Sequence, residues 1–373
     1  MNSIAYIANI RLPTEKAHGL QIMKTCEALI KSGVKIELIV PTRNNISNQE
    51  IFSFYNIQPI FKITKITVSN TKINSKIGFL LHSFIFSLKS VLYVRRNNMQ
   101  AIYSRDKLPL FFSFLIGISC YFEAHMGGWG IFSIILKKIN GIICITNGLK
   151  DFYISQGIDS KKITVASDAV DLSLFTNLPN KEDCRKELGL PLDKKIVMYV
   201  GSFGLYKWKG LDIFLESAKL FDQSFLFIAI GGTKDEIRTI ISNGVSSNVR
   251  LLERVNNLNI PNYLKSSDVL VIPNRSGDII SEKYTSPMKL FEYMASGVSI
   301  VASDLPSIRE VIDDSNGILV EPDKAGSLSH GIRLALSPSN ERSRKALEDV
   351  KRKYSWEKRA EIIKNFIVPN YEK

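Results

Sequence analysis

Tyr284-Thr285-Ser286-Pro287-Met288-Lys289-Leu290-Phe291-Glu292-Tyr293-Met294-Ala295-Ser296-Gly297 is a stretch that marks both of its own ends. Ser286 is suited to cap a helix, and Pro287 suits its first position, where a missing N–H loses no partner. Gly297 follows the last apolar position and can take the left-handed conformation that ends a helix. The start of such a helix gathers unpaired N–H groups and a positive dipole end, which together attract an anion. Glu292 lies about 7–8 Å further along the axis than Pro287, at about 1.5 Å per residue. One short helix could therefore hold a phosphate at its tip and a sugar hydroxyl on its flank. A capped, half-buried helix with a solvated glutamate fits the same residues when they are read alone.

Working outward from this helix, short apolar runs alternate with helical patterns. In the second half the runs are Ile196–Val200, Phe225–Ile230, Val249–Leu252, Val269–Pro273, Val298–Ala302 and Gly317–Val320. In the first half they are Ile4–Ile10, Val34–Val40, Ala101–Ser104, Ile118–Glu123, Gly141–Ile145 and Lys162–Ala166. Runs apolar on both faces, joined through helices, predict buried parallel strands in two doubly wound α/β sheets. With 373 residues, two domains are expected. We place them at 1–175 and 190–350, with a linker and a short helix between. Residues 44–75 leave room for one or two strands around 59–68, and 341–373 reads as an amphipathic helix.

The net charge of +13 asks for an anionic partner, which nucleic acid, anionic lipid or a phosphorylated substrate would satisfy. Cys26, Cys120, Cys144 and Cys184 are widely spaced, which argues against a zinc site or a disulfide framework and suits a reducing cytoplasm. The first ten residues lack a basic segment and a cleavage site, so no signal peptide is expected. Ile77–Val94 comes nearest to a membrane span, but it contains His82 and Lys89 and is flanked by basic residues, so a soluble core helix is the expectation.

The run 286–297, followed by Val301-Ala302-Ser303-Asp304-Leu305-Pro306-Ser307-Ile308-Arg309-Glu310, resembles the nucleotide-sugar signature of the family-4 retaining glycosyltransferases, glycosyl transferases group 1. The resemblance implies a GT-B architecture, two Rossmann-like domains facing a central cleft, with the 190–350 domain taking the donor. It places the first domain on the acceptor side and a C-terminal helix, about 354–373, back upon it. It implies transfer of a hexosyl-type sugar from a nucleotide-diphosphate sugar to an acceptor hydroxyl with retention. The acceptor would be a glycan or lipid-linked, as in cell-envelope polysaccharide, lipopolysaccharide or glycolipid synthesis.

Three further segments supply candidate residues. Gly201-Ser202-Phe203-Gly204-Leu205-Tyr206-Lys207-Trp208-Lys209-Gly210 sits where a strand meets a helix, with glycines for close approach and lysines for phosphate. It lacks the spacing of a P-loop. Lys209 matches the family's lysine before the final glycine, whereas Ser202 stands where an arginine is usual. Glu123-Ala124-His125, before Gly127-Gly128-Trp129-Gly130, resembles the Glu-x-His that the family places at a strand end, with the histidine toward the active cleft. Residues 11–21, with Gly19, resemble the first loop, which approaches donor and acceptor. A turn or packing glycine is the reading of Gly19 on physics alone. Ser167-Asp168-Ala169-Val170-Asp171 resembles the segment between the domains. The family's first signature glutamate would fall at Tyr284, so the sugar is not inherited from better-known members.

The resemblance thus assigns catalytic roles to His125, Lys209 and Glu292, and donor contacts to Gly19, Lys207, Tyr284, Thr285, Ser286, Pro287, Met288, Lys289 and Leu290. No DxD occurs, so no metal and no resident cofactor are expected. No carboxylate pair is placed as nucleophile and acid, which argues against a glycosidase. No nucleic-acid motif appears, and none of that partner is expected. The expected location is cytoplasmic, peripheral at the inner membrane face, in contact with anionic lipid. Two other readings stay open: a sugar-nucleotide epimerase of the same fold, and a non-catalytic basic protein bound to a membrane surface or nucleic acid.

Overall fold

The structure is a computed structural model and describes residues 3–43, 46–68, 75–204, 206–337 and 339–368. It contains two compact units. One comprises the described residues up to Asp168 together with those from Trp356 onward, and the other is Ala169–Ser355.

The first unit is built on seven strands: β1 (Ser3–Ile7), β2 (Lys35–Pro41), β3 (Lys62–Ile66), β4 (Ala101–Ser104), β5 (Ser119–Ala124), β6 (Gly141–Cys144) and β7 (Ile163–Val165). They pair in parallel in the order β3-β2-β1-β4-β5-β6-β7. The second unit holds β8 (Lys195–Val200), β9 (Phe225–Gly232), β10 (Val249–Glu253), β11 (Val269–Ile272), β12 (Ser299–Ser303) and β13 (Ile318–Val320), in the order β10-β9-β8-β11-β12-β13. All of these pairs are parallel too. Each sheet reverses its direction of growth once, between β1 and β4 and between β8 and β11. Such a reversal opens a crevice at the carboxyl ends of the strands, where doubly wound folds bind ligands.

The apolar runs are continuous because both faces of each strand are covered. In β8, Ile196 and Met198 face one core while Val197 and Tyr199 face the other. In β11, Leu270 and Ile272 join the first core, and Val269 and Val271 the second. The period of two is therefore present in the packing although hydropathy does not show it.

Several elements differ from the sequence expectation. The described residues of 44–75 contain a helix, Asn48–Phe54, begun by a capping box between Ser47 and Glu50, and one strand, β3. The C-terminal stretch is two helices, Glu341–Lys353 and Trp356–Ile367. They break at Tyr354, whose carbonyl accepts the Val170 amide at 3.0 Å. The first of these helices belongs to the second unit and the other to the first. There Arg359 donates to the Ser167 carbonyl at 2.7 Å and Lys364 Nζ to that of Ser32 at 2.7 Å. The expected tail beyond residue 368 lies outside the described residues.

The core-helix expectation for Ile77–Val94 needs correction. The helix Lys76–Arg96 is long and apolar enough to cross a membrane, yet only 39% of its most apolar window is buried. Its inner face carries Ser83, Phe86, Ser87, Ser90 and Val94, and its outer face is apolar and exposed.

Candidate active site

In the second unit, β8 ends at Val200 and leads into the glycine-rich loop. Lys207–Lys209 forms one tight turn, followed by Gly210 at φ +69° and then the helix Leu211–Ala218. A Cβ at Gly210 would lie 1.7 Å from the Pro273 carbonyl oxygen, so both the dihedral and the space require glycine. The Arg275 amide donates to the Trp208 carbonyl at 2.7 Å and binds this turn to the segment after β11. Lys209 Nζ donates to Ser202 Oγ at 3.1 Å and lies 4.9 Å from the Tyr206 ring centroid. Ser202, at the position where an arginine was expected, is thus a hydrogen-bond partner of the lysine. Lys207, two residues earlier, is exposed.

The quoted helix spans Met288–Ser296, one residue shorter at its start than the sequence predicts. Pro287 has extended ψ of 117° and is itself the cap, so Ser286 is not. The reason lies upstream. Residues Ile280–Tyr284 form one wide turn, and Thr285 and Pro287 stay extended as the chain leaves it. Gly297 ends the helix at φ +69°, as expected. Met288 and Lys289 are left with first-turn amides that have no intrahelical acceptor. The Leu290 amide is occupied, because it donates to the Pro287 carbonyl at 2.8 Å, and its side chain is part of the core. Both the amide and the side chain of Leu290 are thus engaged within the unit. Tyr284 ends the wide turn half-buried, and Glu282 nearby accepts the Gly277 amide at 2.8 Å.

Lys289 is the unusual residue. Its Nζ is buried, has no hydrogen-bond partner, and sits 4.6 Å from the Tyr199 ring centroid. Burial, and then the charge of Lys209, push its pKa well below the ordinary lysine value. Burial, and then Arg254, push Lys209 down to about 8. Lys289 and Arg254 are thus each within electrostatic reach of Lys209, and no acid is paired with any of the three among the described residues. Two buried polar atoms of Asn274, just past β11, also lack partners. Buried polar groups are seldom left so, and water, an ion or a ligand usually completes them. Neither Arg254 nor Asn274 was singled out from sequence, where each is one polar residue in a turn.

Glu292 is half-buried, and no hydrogen bond or ion pair to a described residue holds its carboxylate. Burial pushes its pKa up to about 7. The buried helix face is carried instead by Leu290, Phe291, Tyr293 and Met294, with Val200's amide donating to Tyr293 Oη at 2.8 Å. A cavity of about 570 Å³ lined by Gly189, Lys194, Leu226 and Arg250 lies at the opposite, amino edge of this sheet. It holds none of these unpaired groups.

The first unit has its own pocket, about 540 Å³, at the carboxyl edge of its sheet. His18, Arg105, Lys107, Glu123, His125 and Trp129 are among the residues lining it. Glu123, at the end of β5, is fully enclosed. It accepts Gln21 Nε2 at 2.6 Å and is also bonded by Tyr6 and Arg359. Burial alone would raise its pKa, but His125, Arg359 and Arg105 outweigh this and hold it well below the usual carboxylate range. His125 Nε2 lies 3.1 Å from Glu123 Oε1, an approach without hydrogen-bond alignment. Burial and Arg105 lower the His125 pKa, so its imidazole is neutral at pH 7. Burial and Arg105 likewise take His18 down to about 4.

Gly19 lies within the first turn of the helix Ala17–Lys31, where a Cβ would meet Tyr55 Oη at 2.3 Å and Thr14 Cγ2 at 2.6 Å. Packing therefore accounts for this glycine without a ligand. His18 and Arg105, which line the pocket, and Arg359, which bonds Glu123, were not singled out from sequence, since each comes from a different element. Among the described residues, no group of three His, Cys, Asp or Glu side chains is placed to hold a metal. Asp168 and Asp171 fall in different units, and Asp171 caps a short turn by accepting the Ser173 amide at 3.0 Å.

Residues 194–337 match the family model for glycosyl transferases group 1. An uncharacterized glycosyltransferase of Methanocaldococcus jannaschii is 21% identical over 82% of this chain and 74% of its own length. A phosphatidyl-myo-inositol mannosyltransferase of Mycobacterium leprae is 27% identical over 52% of this chain, and the chain spans about half (51%) of that relative. The Anabaena protein HepE, solved in complex with UDP and glucose, superposes with a TM-score of 0.75 at 14% identity, over 98% of this chain and 99% of that one. The fold is thus of the GT-B class, and the family match together with the relatives supports a glycosyltransferase.

Proposed function

We propose that the chain is a retaining, hexosyl-type glycosyltransferase that moves a sugar from a nucleotide-diphosphate sugar to an acceptor hydroxyl in cell-envelope glycan or glycolipid synthesis. The observation that carries this reading is the buried, unpartnered Lys289 ammonium beside Lys209, at the start of a helix with free amides. An isolated buried cation is costly, and a bound anion removes the cost. A diphosphate satisfies both lysines and the first-turn amides at once. Glu292, further along the helix, then accepts the ribose hydroxyls, and Tyr284 and Thr285 border the sugar. As the glycosidic bond breaks, negative charge grows on the departing diphosphate. Donors already aimed at it lower that barrier without a metal. Lys209, held by Ser202, is the group we assign to this task.

In the first unit we assign the pocket to the acceptor side. Its neutral His125, held beside Glu123, supplies a hydrogen-bonding imidazole for sugar hydroxyls. Glu123 is not the nucleophile, because its oxygens are already engaged by Gln21, Tyr6 and Arg359. Retention then proceeds by attack on the same face, with the donor phosphate assisting removal of the acceptor proton. An epimerase would need acid and base side chains around the sugar; beside Lys289 the second unit offers cations instead.

A thermal-shift screen against UDP, GDP, dTDP and their sugars tests the reading. Ligand at 100 times its Kd should stabilise by about 2.7 kcal/mol. The shift and the transfer should persist in excess EDTA. No shift with any nucleotide, or activity that requires Mg²⁺ or Mn²⁺, would overturn it.

A further inference from the structure

We propose that the first unit docks on an anionic bilayer surface through one apolar facet formed by the helix Lys76–Arg96 and the turn of helix Ile131–Lys137. On the long helix, Ile77, Leu81, Phe84, Leu88 and Leu92 are exposed and recur at spacings of three and four, so they form one stripe. The stripe continues sideways. Phe84 packs edge-on against Phe112 at 5.0 Å, in the helix Lys107–Leu115, whose end exposes Leu115. Phe111 of that helix packs at 5.5 Å against Phe132, in the turn of helix where Ile131 is 85% exposed and Ile134 69%. Scattered apolar residues are normal on a surface, but a contiguous facet of this extent marks an interaction site.

Charge identifies the occupant. Residues 51–150 contain twelve lysines and arginines against two acids, Asp106 and Glu123, and so hold +10 of the chain's +13. Neither acid offsets the surface charge: Glu123 is enclosed, and Asp106 accepts the Asn9 amide at 2.8 Å. Lys76, Lys89, Arg95, Arg96, Lys137 and Lys138 are exposed on the same two elements as the facet. Apolar side chains rimmed by basic ones, without exposed acids, match an acyl boundary beneath anionic headgroups.

The helix lies on the bilayer and does not cross it. Its inner face is fixed to the unit through Ser83 Oγ, which accepts Asn9 Nδ2 at 2.8 Å, and through Ser87, Ser90 and Val94, which are buried. A crossing would strip these contacts away. The turn that supplies Ile131 directly follows Trp129 and Gly130, which line the 540 Å³ pocket. Docking therefore brings the mouth of that pocket to the level of lipid headgroups. The docking itself does not depend on the transfer chemistry proposed above.

The test is flotation of the full chain with vesicles, without nucleotide or acceptor. Vesicles of phosphatidylcholine and phosphatidylglycerol in equal parts should carry the protein, those of phosphatidylcholine alone should carry much less, and added salt should release it. Each lysine removed near the surface should weaken binding about fivefold, so Lys137→Ala with Lys138→Ala should cost about 25-fold. The triple variant Leu81→Ser, Leu88→Ser, Ile131→Ser should lose about 100-fold at unchanged Tm, because all three side chains already face solvent. Absence of wild-type binding to the anionic vesicles overturns the proposal, as does a triple variant that binds as tightly as wild type. So does a dimer in sedimentation that the triple variant dissolves while neither protein floats, which would make the facet a contact between two copies of the chain. A nucleotide thermal shift that survives any of these results leaves the donor-site reading standing on its own.

Discussion

Replacing Glu292 by glutamine should make the empty protein more stable and a worse binder of donor. The folded-state pKa of this carboxyl is about 7 because burial disfavours its charge, against an ordinary value of 4.5. The sign follows from proton linkage. Below about pH 4.5 the group is neutral in folded and unfolded chains alike, and burial costs little. Between 4.5 and 7 the unfolded chain loses its proton while the folded chain keeps it, so stability falls as pH rises. Above 7 the full cost is present. At 1.36 kcal/mol per pH unit that cost is at most about 3 kcal/mol, and about 2 once partial solvent exposure is allowed for. Glutamine has nearly the same shape and no charge, so Glu292→Gln should recover about 2 kcal/mol at pH 8 and almost nothing at pH 4.5. For a unit of this size that is about 4–8 °C in Tm. Donor affinity should move the other way, because a charged acceptor binds ribose hydroxyls more strongly than a neutral one. Thermal melts at both pH values, with and without nucleotide, read both effects. A variant that melts lower at pH 8, or that keeps its full nucleotide shift, would refute the assignment of Glu292 as a desolvated carboxylate facing the donor.

Two further outcomes follow from the lysines. Lys209→Ala should fold normally and lose about 10² to 10³ in turnover at saturating donor, whereas the exposed Lys207→Ala should change it severalfold at most. Equal mild effects in the two variants would mean that the loop only supports the helix start. Lys209 has a pKa of about 8 in the empty site, and a bound diphosphate should raise it and that of Lys289. Donor binding should therefore take up protons, and Kd should rise up to about tenfold per pH unit above 8. Calorimetry in buffers of differing ionisation enthalpy measures the uptake, and none at pH 8.5 would refute the pairing of these lysines with an anion.

The two parallel sheets are legible in the residues alone, since strands covered on both faces appear as unbroken apolar runs between helical segments. So is the end of a helix at Gly297, where the left-handed conformation is local and glycine supplies it without strain. The sequence could not place the start of that helix, because the wide turn at Ile280–Tyr284 shifts the cap from Ser286 to Pro287. Nor could it separate Leu290, whose amide and side chain are both occupied, from Lys289, whose ammonium is not. Hydropathy averages over the two faces of Lys76–Arg96, so a core helix and a helix with one bare face read alike. Whatever depends on desolvation and on distant partners emerges with the folded packing. Lys289 has a depressed pKa because it is buried and Lys209 lies beside it, and Glu123 holds its charge because His125 and Arg359, the latter 236 residues away, meet it. Burial and convergence of charge come from packing across the chain, and no local pattern of residues encodes them.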